Sequence, residues 1–226
     1  MGEIKIIEIK EEILGDNQAL AATLRERLVG QNTFVLNLMA SPGAGKTSLV
    51  LRTVEKLGGR YRIGVLQADI ASTVDAEKFD ALGVPTAQIR TGGMCHVDAT
   101  MVERALEAIG SRDLDLVVLE NVGNLVCPAE FDTGAHKNAM LLSIPEGDDK
   151  PLKYPLMFSI SDLLVLHKID YLPLADFDTA LAAKRARALN PDLRVIQVSS
   201  KTGEGLDLWT DWLCEQVDAL RHRAKG

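Results

Sequence analysis

The stretch Phe34-Val-Leu-Asn-Leu-Met39 runs into Ala40-Ser-Pro-Gly-Ala-Gly-Lys46-Thr47, and a helical pattern follows over Thr47–Leu57. A buried strand, a glycine-rich turn and a helix start bearing Lys and Thr form a cradle for phosphates. Backbone N–H groups of such a turn curl around phosphate oxygens, and the helix N-terminus adds partial positive charge. Gly43, Ala44, Gly45, Lys46, Thr47 and Ser48 are therefore the candidate phosphate-binding residues. Lys46 can reach the outer phosphates of a nucleoside triphosphate, and the Thr47 hydroxyl can ligate Mg²⁺. The usual pattern opens with Gly where this chain has Ala40, and Ala lacks the freedom of Gly at positive φ.

Outward from this loop, short apolar runs alternate with helical patterns. Strands are expected at 34–39, 63–67, 86–89, 116–119, 140–144, 163–166 and 194–198. Helices are expected at 16–28, 47–57, 75–82, 98–109, 177–189 and 206–223, with Asp16 as an N-cap. The alternation predicts an α/β fold of the P-loop NTPase type, a mostly parallel sheet with helices on both faces. Residues 1–30 read as an N-terminal arm and helix, the first fifteen extended. Residues 31–226 read as a P-loop GTPase domain with an embedded metal site. Ligands in such sheets bind beyond the carboxyl ends of the strands. Asp69, Glu120, Lys168 with Asp170, and Ser199 with Lys201 all fall at such ends.

The chain has 226 residues, enough for one large domain with its own core. Hydrophobic residues make up 46% and charged residues 25%, as in an ordinary globular protein. A net charge of −7 argues against a broad nucleic-acid surface. No apolar run approaches a membrane span, and the start lacks the layout of a signal peptide. A cytoplasmic protein without membrane or nucleic-acid partners is expected. In a reducing compartment, Cys95, Cys127 and Cys214 are expected to be free, metal-bound or catalytic.

A second nucleotide signal is His167-Lys168-Ile-Asp170, which resembles the Asn-Lys-x-Asp guanine-recognition motif of GTPases. A carboxylate at Asp170 can accept from guanine N1–H and its exocyclic amine, which adenine does not offer in that arrangement. The aliphatic stem of Lys168 can lie along the base. Ser199-Ser-Lys201-Thr-Gly203 resembles the Ser-Ala-Lys loop whose backbone donors meet the guanine oxygen. His167 stands where Asn is usual, so guanine selectivity is less secure than for a full match.

Hydrolysis needs carboxylates near the γ-phosphate to hold Mg²⁺ and its waters. Glu120 closes a buried strand and heads Glu-Asn-Val-Gly123, similar to the Asp-x-x-Gly switch of GTPases. Asp69 is the second candidate and Asp75 the third, the latter also suited to capping a helix. With Lys46 and Thr47, Glu120 and Asp69 form the candidate catalytic set. Ser41 occupies the place where dimerising P-loop ATPases carry a second lysine, so the chain does not resemble that group.

Cys95-His96 precedes a helix, and Cys127 follows Glu120 by seven residues. Thiolate and imidazole suit Ni²⁺ or Zn²⁺; three ligands do not complete a tetrahedral site, which a dimer sharing its ligands could complete, and the alternative is that the cysteines are simply buried. Cys127 shares a segment with the switch, so the γ-phosphate state can move a ligand directly. Cys214 reads as core, His136 and His222 as surface, and His136 also as an alternate ligand.

Ser-Pro-Gly-Ala-Gly-Lys-Thr47, Gly-Gly-Met-Cys-His96, Glu-Asn-Val-Gly-Asn-Leu-Val-Cys-Pro128 and Asp-Lys-Pro-Leu-Lys-Tyr-Pro155 together closely resemble the HypB family, from about Asp16 to the C-terminus. These are GTPases that assist nickel insertion into [NiFe]-hydrogenase. The resemblance implies GTP and GDP as ligands and a nucleotide-dependent homodimer. It also implies a nickel-binding accessory protein and the hydrogenase large subunit as partners. Cys95, His96 and Cys127 would form a Ni²⁺ or Zn²⁺ site at the dimer interface, and Thr47 and Glu120 would serve Mg²⁺. Lys168 and Asp170 would face guanine, and Lys153 would contact nucleotide from the neighbouring subunit. The Cys-rich N-terminal motif and His-rich stretch of some members are missing, which points away from nickel storage. The adjacency of Cys95 and His96 departs from the Cys-Pro-His motif of the related urease accessory GTPases. A P-loop kinase and a non-catalytic, nucleotide-set scaffold are the rival readings.

Overall fold

The computed structural model describes residues 9–69 and 78–223, with side chains described over 14–68 and 78–223. Seven strands form one sheet in the order β3-β2-β4-β1-β5-β6-β7. They are β1 (Phe34–Ala40), β2 (Ile63–Asp69), β3 (Thr86–Arg90), β4 (Leu116–Gly123), β5 (Lys137–Ser143), β6 (Leu163–His167) and β7 (Arg194–Val198). Every neighbouring pair is parallel. The helices are α1 (Ile9–Gln31), α2 (Lys46–Leu57), α3 (Ala99–Ala108), α4 (Lys150–Lys153), α5 (Pro155–Ser159), α6 (Thr179–Leu189) and α7 (Leu206–Arg223).

All seven residues of β1 are buried, because helices cover both faces of the sheet. Phe34, Leu36 and Leu38 pack with Leu49 and Val50 of α2 and with Trp209 and Leu213 of α7. The alternate residue Val35 joins Leu24 and Leu28 of α1 and Val102 and Leu106 of α3, and Met39 joins Phe158 of α5 and Ala182 of α6. The period-2 alternation of a strand thus serves the packing on both faces of the sheet at once. Trp209 spans the first core and donates its indole N–H to Thr53 Oγ1 at 2.8 Å.

Several boundaries differ from expectation for identifiable reasons. Residues 9–15 are helical, not an extended arm, and Asp16 lies exposed inside α1 instead of capping it. The buried positions Asn17, Ala21, Leu24 and Leu28 give α1 its inward stripe. The first eight residues of the expected arm lie outside the described residues, as does the start of the helix expected from Asp75. β5 begins earlier than the apolar run, because polar Lys137 and Asn138 find partners inside the fold. Lys137 Nζ pairs with Asp162 at 2.5 Å, and Asn138 Oδ1 accepts from Asn37 at 2.9 Å. Ile144 then enters a 3₁₀ turn with Pro145. β4 runs through Gly123, past the expected end before Glu120.

β1 contributes the phosphate loop, and its flanking strands β4 and β5 lie on opposite sides. The chain leaves β1 toward β2 and β3, then returns to place β4 beside β1 and builds β5, β6 and β7 outward on the other side. The crevice at this reversal is where open α/β sheets hold ligands.

Candidate functional site

Ala40 ends β1 fully buried and in ordinary backbone geometry: among described non-glycine residues only Asn32 and Lys168 have positive φ. The Ala at this position therefore carries no conformational penalty. Positive φ is needed at Gly45 (105°), which caps α2. A Cβ there would lie 2.5 Å from His167 Cε1, so only Gly fits.

The loop borders a cleft of about 620 Å³ lined by Gly43, Gly45, Lys46, Thr47 and Ser48 and, across from them, by Gln67, Glu120 and Lys168. Thr47 donates its hydroxyl to Glu120 Oε1 at 2.8 Å, while Gln67 donates to Oε2 at 3.2 Å. Hard oxygen donors thus converge beside the phosphate cradle, a donor set that fits Mg²⁺. Lys46 is buried at the same wall. Gln67 and Lys78, which also line the cleft, were not singled out from the sequence. Gln67 was legible only as a polar residue near a strand end. Asp69 ends β2 two residues beyond Gln67, and its side chain lies outside the described set; Asp75 lies outside the described residues altogether.

The segment after Glu120 is held against the phosphate loop. Leu38 pairs with Glu120 but Ala40 pairs with Gly123, so β4 carries one extra residue over this step. Asn121 fills the irregularity: its Oδ1 accepts from Val122 N at 2.8 Å, and its amide donates to Asn37 Oδ1 at 3.0 Å. Gly123 approaches Pro42 so closely that a Cβ would fall 2.9 Å from Pro42 N. Asn124 N then donates to Ala40 O at 3.0 Å. The Ser41 hydroxyl donates to Glu146, whose other oxygen accepts from Ser143 N and Oγ at 2.9 and 2.6 Å. A carboxylate behind the loop thus holds the residue that replaces the second lysine.

Lys168 lines the cleft, and near it lie the other residues expected to meet a base. Lys168, at φ 60°, extends back over the loop and donates from Nζ to Gly43 O at 2.7 Å. Asp170 Oδ1 accepts from buried Ser199 Oγ at 2.7 Å, and Lys201 Nζ lies 3.9 Å from Oδ2. His167 is 2% exposed; Nδ1 lies 2.8 Å from Ala44 O and Nε2 lies 2.8 Å from Ser200 Oγ. Burial lowers its pKa, a shift only partly opposed by the Ala44 carbonyl. The imidazole thus ties the phosphate loop to the loop bearing Ser200.

Cys95 and Cys127 are brought together. The Cys127 thiol lies beside that of Cys95, and this neighbour, with burial, raises its pKa. His96 Nδ1 sits 4.0 Å from Cys95 Sγ, and its ring stacks on Phe131 with centroids 3.6 Å apart. Burial lowers the His96 pKa against the pull of Asp98 and Glu130, favouring the neutral imidazole that ligates metals. Among the described residues, no group of three or more His, Cys, Asp or Glu side chains converges tightly enough to hold a metal ion. Two thiols form half of a four-coordinate site, so the donor set fits Ni²⁺ or Zn²⁺ only with ligands from elsewhere.

His136, expected at the surface, is instead largely enclosed. Its Nδ1 accepts from Val35 N at 3.0 Å and its ring stacks on Phe34, which removes it as an alternate ligand through that nitrogen. Cys214 is core and His222 exposed, as read. Lys153 is exposed and pairs at 2.5 Å with Asp149, the N-cap residue of α4. It does not line the cleft of its own chain. No helix among the described residues is long and apolar enough to cross a membrane.

Comparison with known proteins follows this geometry. Residues 34–197 match the family model for the CobW/HypB/UreG nucleotide-binding domain. The hydrogenase maturation factor HypB of Azotobacter vinelandii is 45% identical over 100% of this chain and 77% of its own length. The crystal structure of the Archaeoglobus fulgidus factor superposes with a TM-score of 0.85 at 36% identity, covering 90% of this chain and all of that one. A HypB structure from Helicobacter pylori in complex with nickel matches with a TM-score of 0.85 at 35% identity, covering 90% of this chain and 96% of that one. With a phosphate loop, a Thr47–Glu120 pair and adjoining cysteines arranged on this sheet, the chain belongs to the HypB family of hydrogenase maturation factors.

Proposed function

We propose that the protein is a GTP-hydrolysing metallochaperone that delivers nickel during maturation of [NiFe]-hydrogenase, with metal binding coupled to nucleotide state. The observation that carries this reading is the continuity of one segment. β4 bears Glu120 in the nucleotide cleft, touches the phosphate loop at Gly123 and Asn124, and reaches Cys127 beside Cys95. A change at the γ-phosphate is therefore a few residues from a metal-ligating thiol.

In this reading the amides of the Gly43–Ser48 turn and Lys46 bind the phosphates of GTP. Thr47 and Glu120, with Asp69 and Asp75 as further carboxylates, hold Mg²⁺, which when bound neutralises charge on the β- and γ-phosphates. Asp170 accepts from the Watson–Crick edge of guanine, Lys168 lies along its face, and the Ser199–Lys201 turn donates to its oxygen. Hydrolysis is slow, since among the described residues no arginine lines the cleft and Gln67 gives its amide to Glu120. Cys95, His96 and Cys127 of two copies hold Ni²⁺, or Zn²⁺ as a competing ion, in a nucleotide-dependent homodimer. Lys153 reaches the nucleotide of the second copy. The recipient is a nickel-binding accessory protein or the hydrogenase large subunit, in the cytoplasm. The carboxylate at Asp170 argues against an ATP-dependent kinase.

The test is nickel affinity and stoichiometry per dimer with GDP and with a non-hydrolysable GTP analogue. A clear difference is expected. Identical binding in both states, or unchanged nickel affinity in Cys95→Ala, would remove the metal half of the proposal. Lys46→Ala is expected to abolish GTP turnover and Cys95→Ala to leave it largely intact; no phosphate release above the Lys46→Ala control would favour a nucleotide-set scaffold.

A further inference from the structure

His167 stands where the Asn-Lys-x-Asp motif has Asn, whose carboxamide ties the loop down and contacts the base. A carboxamide has two N–H bonds on one nitrogen, so it can give one to the loop and one to a ligand. A neutral imidazole has one donor and one acceptor, lying in the ring plane on different nitrogens. In this chain both are engaged. Ala44 O can only accept, so Nδ1 carries the proton and donates at 2.8 Å. Nε2 is then the acceptor for the Ser200 hydroxyl at 2.8 Å. The ring is 2% exposed, and the edge that remains toward Gly45 is the carbon Cε1.

Ser199, Ser200, Lys168 and Lys201 are engaged elsewhere. The Ser200 proton goes to His167, and the Ser199 proton to Asp170. Lys168 Nζ is drawn to Gly43 O on the phosphate side, and in the guanine reading its stem lies along the face of the base. Lys201 lies on the Asp170 side, which faces the Watson–Crick edge. Asp170 as a carboxylate can only accept. Guanine N7 is an acceptor on the far edge, and it needs a donor.

We propose, on the guanine reading given above, that this protein recognises guanine without reading N7. Selectivity rests on Asp170 at N1–H and the exocyclic amine and on the Ser199–Lys201 turn at the carbonyl oxygen. The ligand class therefore extends to guanine nucleotides that carry C–H in place of N7. His167 is a positioning residue: it joins the two loops at the cost of the base contact.

The experiment measures the affinities of GDP and 7-deaza-GDP by calorimetry for the wild-type protein and His167→Asn, with ADP as a control. In the wild type the two guanine ligands are expected to bind within about twofold. In His167→Asn the carboxamide regains a second N–H, and GDP is expected to gain about three- to tenfold over 7-deaza-GDP, the size of one neutral hydrogen bond. Wild-type binding that weakens tenfold or more for 7-deaza-GDP would overturn the inference while leaving the guanine reading intact. ADP binding as tightly as GDP would overturn the guanine reading and the inference with it. The wild-type comparison decides even where the variant fails to fold.

Discussion

Thr47 Oγ1 donates to Glu120 Oε1 across 2.8 Å, joining the first turn of α2 to β4. The pair puts a hydroxyl and a carboxylate where a phosphate-bound Mg²⁺ would take them. Replacing Glu120 with Gln keeps the oxygen that accepts from Thr47 and removes the charge. The Mg²⁺ concentration for half-maximal GTP turnover is expected to rise at least about tenfold, with the melting temperature little changed. A Mg²⁺ titration of phosphate release checks this; an unchanged titration curve would remove Glu120 from the metal site.

Gly45→Ala introduces two penalties at once. The backbone φ of 105° suits Gly alone, and the new methyl would lie 2.5 Å from the buried His167 ring. The backbone strain alone is about 1–3 kcal/mol. Moving His167 also breaks its bonds to Ala44 and Ser200. Loss of measurable nucleotide binding and a lower unfolding midpoint in urea are the expected outcomes, while full-strength GDP binding would contradict the packing described for this loop.

Asp170→Asn tests the base-reading end. The Asn retains an acceptor for Ser199 but offers an N–H to the guanine amine, where two donors then oppose each other. Affinity for GDP is expected to fall on the order of 100-fold. Xanthosine diphosphate, with a carbonyl at that carbon, is expected to become the better ligand. Competition between the two diphosphates provides the measurement, and retained GDP preference would place the base elsewhere.

His136 makes stability depend on pH. Burial, then the Arg25 charge, lowers its pKa from 6.5 to about 4. Below pH 6.5 the unfolded chain takes up a proton that the folded chain does not bind until about pH 4. The stabilising contribution is therefore fully present above pH 6.5 and drains away down to pH 4, by about 3 kcal/mol in total. Buried His167, also lowered, acts in the same direction. His136→Gln keeps an acceptor for Val35 N–H and removes the titration. Its unfolding free energy is expected to vary less over that pH window than that of the wild type, and parallel curves would show that His136 is not the group responsible.

The strands were legible because a two-sided parallel sheet demands continuous apolar runs, and β7 and α7 match their expected limits. Limits failed where polar residues satisfied one another inside the fold. Lys137 and Asn138 extend β5 backward through Asp162 and Asn37, and Asn121 carries β4 past Glu120 by occupying an irregular step. Such pairings join residues many positions apart, so no local pattern reveals them. The short helices α4 and α5 were missed for a different reason: at four and five residues they are too brief for helical periodicity to show.

By itself the sequence determined the phosphate loop, the layered α/β architecture, the family and the position of the polar residues at strand ends, because these follow from local spacing and from hydrophobic period. Tertiary structure alone decided what those residues do to one another. It set Thr47 against Glu120, enclosed His136 and brought Cys95 to Cys127, with no third His, Cys, Asp or Glu converging on them among the described residues. It also turned His167 from an apparent defect in a motif into the tie between two loops, since a ring nitrogen's partner is fixed by the three-dimensional approach of Ala44 and Ser200 and not by the residues beside it in the chain.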